Sequence, residues 1–254
     1  MTTCLTSHRA HDFAALMAAW HRVARAARLH SIVLGHAEGL PIIAFETKAA
    51  AQGESAAYLS TGVHGDEAAP PWGLLTWAEQ NIERLRTEPF LIAPCLNPVG
   101  LIRNTRVDQR GIDLNRRFHL TRDPLIKAWQ HWIKPKTLRF GLCLHEDYDA
   151  QGCYLYELSH QKRPLCEPVM EAVAAIIPPD LRGTIEGSKA KRGIIRRKVL
   201  PEGLLGPEAI VLHKLGCPVT FTFETPSEFA LDHRIHAQRT CIEATIEHLA
   251  NLRS

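Results

Sequence analysis

The chain has 254 residues, 45% hydrophobic and 22% charged, with 16 glycines and 16 prolines; these values lie close to globular averages and exclude a disordered, collagen-like or low-complexity chain. Thirty Lys and Arg against 27 Asp and Glu leave a formal charge of +3, spread apart from the short runs 189–192 and 196–198, so composition gives no case for nucleic acid. Seven cysteines without a C-x-x-C pair read as reduced thiols, and no window approaches the roughly 18 apolar residues of a membrane span. Asp12, His21, Arg22, Arg25 and Arg28 interrupt the apolar residues near the N-terminus, unlike a signal peptide. The expectation is one cytoplasmic domain over residues 1–254, with a helix in residues 1–30 packed on it.

Residues 12–29 place Phe13, Leu16, Met17, Trp20, Val23, Ala24 and Ala27 at helical spacing behind an acidic cap. Two strands joined by the turn 38–41 are predicted over 31–47, and a third over 56–61. A helix is expected over 71–86, a strand over 90–94, a loop over 97–118 and a helix over 124–134. The apolar run 138–144 reads as a strand leading into His145-Glu146-Asp147, followed by a strand over 153–158 and a helix over 168–177. Helices over 204–215 and 231–252 flank a strand over 219–223 that ends at Glu224. Strands alternating with helices predict α/β layers around a largely buried sheet. Chemistry-bearing residues gather where those strands end, the edge at which open α/β sheets bind ligands.

His64-Gly65-Asp66-Glu67 follows the third strand and sets an imidazole and a carboxylate three residues apart, a spacing that lets both reach one ion from a turn. Gly62 and Gly65 bracket the histidine, as a sharp turn requires. His145, at another strand end, completes a set of two His and one Glu, and an open fourth position makes that a catalytic zinc arrangement. Such a zinc needs a base to take a proton from its water, and Glu224 is the candidate. Arg106, Asn115, Arg116 and Arg117 crowd one loop and supply charge for an anionic substrate.

Taken together, His64-Gly65-Asp66-Glu67, Asn97-Pro98-Val99-Gly100, Thr105-Arg106, Asp113-Leu114-Asn115-Arg116-Arg117-Phe118, Leu144-His145 and Phe223-Glu224-Thr225 resemble, in this order, the carboxypeptidase A-like zinc metallocarboxypeptidases. The resemblance covers roughly residues 55–230. It implies a three-layer α/β/α fold with a mixed, roughly eight-stranded central sheet, one zinc ion per chain, and hydrolysis of a C-terminal amide bond in short peptides. It makes His64, Glu67 and His145 the metal ligands and Glu224 the general base and acid. It makes Arg106 the group that polarises the scissile carbonyl, and Asn115 with Arg116 the pair that grips the terminal carboxylate; the physics of oxyanion and carboxylate recognition agrees. By the same analogy Glu208 lines the side-chain pocket and, if it points inward, favours a substrate with an amino group.

The sequence departs from the digestive members of that family. It has no tyrosine after Tyr156, where they carry a mobile one over the substrate, and Arg117 stands where many members have Asn. The chain is closer to the compact bacterial branch of murein-peptide amidases, which borders on succinylglutamate desuccinylase and aspartoacylase. Small peptides are therefore the expected substrates, with N-acyl amino acids the alternative, and a noncatalytic peptide-binding protein on the same fold is the reading outside the hydrolases. His30, His36, His119, His131, His160, His213, His233 and His236, the tryptophans Trp72, Trp77, Trp129 and Trp132 and the basic stretch 189–198 read as packing or solvated residues.

Overall fold

The computed structural model describes residues 10–200, 203 and 205–250. Asp12 opens α1 (Phe13–Ala27) by accepting the Ala15 N–H at 2.9 Å, and the helix buries the predicted apolar stripe. Next, β1 (His30–Ala37) and β2 (Leu40–Glu46) pair antiparallel around Glu38-Gly39, both at positive φ as a tight hairpin requires. A short α2 (Lys48–Ala51) leads to β3 (Ala56–Ser60). The helix expected over 71–86 is two, α3 (Ala69–Gln80) and α4 (Ile82–Thr87). It breaks at Asn81, whose side-chain amide donates to the Trp77 carbonyl at 2.9 Å and so competes with the backbone.

After β4 (Phe90–Ala93), the segment expected as a loop begins with α5 (Pro98–Arg103). Asn97 caps it by accepting the Gly100 N–H at 2.9 Å, and Pro98 occupies the first helical position, where a missing N–H is tolerated. Then come α6 (Pro124–Ile133), β5 (Leu138–Asp147), β6 (Tyr154–Ser159) and α7 (Glu167–Ala174). A hairpin of two-residue strands, β7 (Thr184–Ile185) with β8 (Ser188–Lys189), leads into the basic stretch, which holds the edge strand β9 (Ile194–Arg197). The chain closes with α8 (Glu208–Lys214), β10 (Val219–Pro226) and α9 (Leu231–Leu249). Residues 1–9 of the N-terminal segment, residue 204 at the expected start of α8 and residues 251–252 at the expected end of α9 lie outside the described residues.

The main sheet has eight strands in the order β1-β2-β4-β3-β5-β10-β6-β9. It is mixed: β4, β3, β5 and β10 run parallel, while β10 pairs antiparallel with β6. The period-two alternation of strands sorts their side chains onto two cores. Ala57, Leu59, Leu144, Phe221 and Phe223 pack with α1, α3, α7 and α9 on one face. Tyr58, Cys143, Phe118, Trp129 and Val211 pack on the other, beneath α6 and α8. These helices on both faces complete the expected α/β/α layering. Because Leu144 and Phe223 face the first core, their neighbours His145 and Glu224 face the second side, where the cleft opens. No helix among the described residues is long and apolar enough to cross a membrane.

Candidate active site

The loop leaving β3 carries His64 and Glu67. Gly62 turns it with φ at +63°, and Gly65 lies so close to α5 that an added Cβ would come within 1.8 Å of the Gly100 carbonyl carbon. Gly65 thus serves by close backbone approach rather than by a left-handed conformation. His145 projects from the C-terminal half of β5, and Glu224 stands beside it in register on β10. Glu224 lies within a strand that continues to Pro226, two residues beyond where the sequence ends it.

These residues converge. His64 Nδ1 lies 2.5 Å from Glu67 Oε1, and His145 Nδ1 lies 2.8 Å from Glu67 Oε2. One ligand atom from each of the three falls within 4.8 Å of the others, with all three side chains buried. Two imidazole nitrogens and a carboxylate oxygen turned toward a common point are the donor set of a three-ligand catalytic zinc site, so the residues present fit the ion. Asp113 Oδ1 sits 3.1 Å from His64 Nε2, the outer carboxylate that fixes the ring and its tautomer.

The electrostatics reflect this crowding. Burial works against charging His64, but the Glu67 carboxylate and the Asp113 hydrogen bond overcome it and raise the imidazole to about 9. Burial likewise opposes ionising Glu67, and the two histidines outweigh it, holding the carboxyl down at about 2. Glu224 has no such balance: burial pushes its carboxyl well above the ordinary value, against the weaker pull of His145.

A cleft of about 570 Å³ joins His64, Glu67 and Glu224 to Arg106, Asn115 and Arg116. Arg106 is 45% exposed; its Nε donates to Asp113 Oδ2 at 3.2 Å and its Nη1 lies 3.8 Å from Glu67. Asn115 and Arg116 stand on a 3-10 turn at Leu114–Arg116, which Asp113 caps by accepting the Asn115 N–H at 2.9 Å. Arg117 turns aside, and its Nε is buried without a hydrogen-bond partner.

The expected pocket role of Glu208 is not supported. Its side chain is fully buried and absent from the cleft wall; it accepts hydrogen bonds from Tyr58 Oη and Ser60 Oγ in the core. The first residue of a helix can face either way, and the two hydroxyls of β3 draw this carboxylate inward. The cleft instead receives Pro207, Ala209 and Ile210 from the same segment.

Sequence reasoning also passed over the wall opposite. Antiparallel pairing sets Tyr154 beside Glu224, Tyr156 beside Thr222 and Leu158 beside Thr220, and β9 adds Arg197 next to Leu158. Tyr154, Tyr156, Arg197, Glu186 and the exposed Tyr148 all line the cleft. So a chain without a tyrosine after position 156 still brings three to its candidate site. The alternation Tyr154-x-Tyr156 was the available signal, but its pairing partner was not.

No curated protein matches the sequence. Among solved structures, a protein from Shewanella amazonensis assigned as a metallopeptidase superposes with a TM-score of 0.84 at 21% identity, covering 94% of each chain. A metallo-carboxypeptidase from Burkholderia cenocepacia gives 0.69 at 16% identity, over 93% of this chain and 68% of the other. A Pseudomonas aeruginosa metallo-carboxypeptidase in complex with (2-guanidinoethylmercapto)succinic acid gives 0.65 at 15% identity, over 91% and 68%. The fold is therefore that of the carboxypeptidase-like proteins. The family model of the succinylglutamate desuccinylase/aspartoacylase catalytic domain matches residues 54–180, a span that holds His64, Glu67, Asp113 and His145, and the chain belongs to that family.

Proposed function

We propose that this protein is a zinc-dependent metallocarboxypeptidase that hydrolyses the C-terminal amide bond of short peptides. The observation that carries the reading is the convergence of His64, Glu67 and His145, with Glu224 beside His145, at the edge of a cleft that also presents Arg106, Asn115 and Arg116. When bound by His64, Glu67 and His145, zinc supplies a Lewis acid that polarises a carbonyl and lowers the pKa of water to about 7. Asn115 and Arg116 receive the substrate's free carboxylate, for which a planar guanidinium is well suited. Arg106 donates toward the scissile carbonyl oxygen as negative charge grows there. Glu224 takes a proton from the attacking water and returns it to the departing nitrogen. Its place beside His145 in the strand register puts that carboxyl next to the metal ligands, where the exchange takes place.

The family match favours a second reading, an N-acyl amino acid deacylase using the same residues on an amide whose leaving group is again an amino acid with a free carboxylate. Zinc-loaded protein assayed in parallel on dipeptides and N-acyl amino acids separates the two. In either case Glu224→Gln retains one zinc per chain and lowers kcat by roughly 10²–10⁴-fold, the usual worth of a general base, whereas His64→Ala loses zinc and activity together. Undiminished turnover by the Glu224→Gln protein overturns the base assignment, and no turnover of either substrate class by zinc-loaded wild type overturns the proposed function.

A further inference from the structure

A carboxylate moved into the core without hydrogen bonds is strongly destabilising, so a fully buried one is held by specific partners. Glu208, the first residue of α8, is such a group, and it takes no part in the chemistry above. Tyr58 Oη donates to its Oε1 at 2.5 Å and Ser60 Oγ to its Oε2 at 2.8 Å; Tyr58 Oη in turn accepts Trp129 Nε1–H at 2.7 Å. Tyr58 and Ser60 are alternate residues on one face of β3, the strand that runs on to His64. The side chain of Glu208 is thereby tied to the strand that delivers a metal ligand.

Its backbone is tied elsewhere. The first N–H groups of a helix have no acceptor within the helix, and that of Glu208 donates to Asn115 Oδ1 at 2.9 Å. An amide whose oxygen is engaged this way keeps its two N–H donors free, which settles the choice between its two orientations. A second tie runs alongside: the Phe118 N–H donates to the Gly206 carbonyl at 3.1 Å, and a Cβ on Gly206 would lie 2.5 Å from the Arg116 carbonyl carbon. The loop bearing Asn115 and Arg116 therefore rests directly on residues 206–208.

We propose that Glu208 is a positioning residue: anchored to β3 through Tyr58 and Ser60, it holds Asn115 Oδ1 with its backbone N–H and so presents the Asn115 amide group to the substrate's carboxylate in fixed relation to the metal ligands. This rests on the reading that Asn115 and Arg116 receive that carboxylate. Glu208→Ala removes the anchor but not the N–H, so it frees the start of α8 and loosens the grip on substrate without touching the metal or the base.

The test compares Glu208→Ala, Glu208→Gln, Tyr58→Phe and Asn115→Ala in zinc-loaded protein. Glu208→Ala is expected to raise KM about ten-fold, the loss of one well-placed hydrogen bond, with kcat and zinc content little changed. Glu208→Gln, which keeps the shape and can donate to Ser60 Oγ, restores KM to near wild type. In an Asn115→Ala background Glu208→Ala adds nothing further, because coupled residues are not additive. A second reading is independent of turnover: among the five asparagine side-chain NH₂ pairs in an NMR spectrum, that of Asn115 shifts in Glu208→Ala and stays in Glu208→Gln. Wild-type KM in Glu208→Ala, an equal KM rise in the Asn115→Ala background, or an unmoved Asn115 pair each overturns the proposal. Tyr58→Phe, which keeps the packing and removes one donor, gives the same shifts on a smaller scale and decides the matter if Glu208→Ala does not fold. If wild type cleaves neither substrate class, the functional reading fails while the Asn115 resonance still tests the positioning.

Discussion

Gly65 offers a sharp probe of how the backbone aims His64. A methyl group at this position would lie 1.8 Å from the Gly100 carbonyl carbon and 2.2 Å from the Leu101 nitrogen. Ordinary van der Waals contact begins near 3.4 Å, so Gly65→Ala demands about 1.6 Å of backbone movement. Neither side can yield by turning a side chain. Gly65 N–H is held by the Thr105 carbonyl at 3.0 Å, and α5 is held by its Asn97 cap. Overpacking of this kind costs about 1–3 kcal/mol, which for a chain of this size is a fall in Tm of roughly 3–10 °C. The displaced His64 also weakens zinc binding by about 10–100-fold, the range seen when the support of a ligand is disturbed. Gly35→Ala makes the same chemical change on edge strand β1 with nothing within 4 Å, and it leaves both quantities unchanged. Thermal melts and competitive zinc titrations of the two variants provide the comparison. A Gly65→Ala protein with the melting point and zinc affinity of wild type refutes the claim that this contact sets the metal site.

Protons compete with zinc for the same site. In metal-free protein at pH 7 His64, raised to about 9, is protonated while Glu67 is ionised, and the Glu67 carboxylate also raises His145 against its burial. Zinc requires neutral imidazoles, so binding at pH 7 releases the His64 proton and tightens as pH rises toward 9; calorimetry in buffers of different ionisation enthalpy measures this, and binding without proton release contradicts it. The same raised pKa means that the His64 contribution to metal-free stability is fully present below the unfolded value near 6.5 and is lost as pH climbs through about 9, which thermal melts of the metal-free protein across that range detect. The thiols give a further check: Cys95, Cys143, Cys153, Cys166, Cys217 and Cys241 are buried and unpaired, and burial pushes Cys95 and Cys217 up to about 12. A thiol-specific reagent is expected to modify at most one of the seven cysteines quickly in native protein and all seven after denaturation; rapid labelling of two or more contradicts that burial.

Much of this site is legible in the chain because its polar residues stand where apolar runs end. His145 and Glu224 each follow directly on a hydrophobic strand, and His64 with Glu67 follows another at a spacing that suits one ion. Two kinds of information are not in the local pattern. One is direction: Glu208 opens a helix between cleft and core, and only the tertiary placement of Tyr58 and Ser60 decides that its carboxylate turns inward. The other is strand pairing. Tyr154 and Tyr156 join the site because β6 runs antiparallel to β10, and Arg197 joins because β9 extends that register from within a basic stretch that reads as solvated surface. Local misreadings had local causes. Asn81 splits a helix by bonding its own preceding turn, and Asn97-Pro98 starts a helix in a segment whose polarity suggests a loop.

The central claim is that His64, Glu67 and His145 hold one zinc ion beside Glu224. Zinc-edge anomalous diffraction from crystals of the zinc-loaded protein tests it most directly. The account predicts one peak per chain, about 2.0–2.2 Å from His64 Nδ1, His145 Nδ1 and a Glu67 oxygen, on the cleft face that bears Glu224. A strong peak elsewhere, or density at this site with either imidazole turned away, contradicts it.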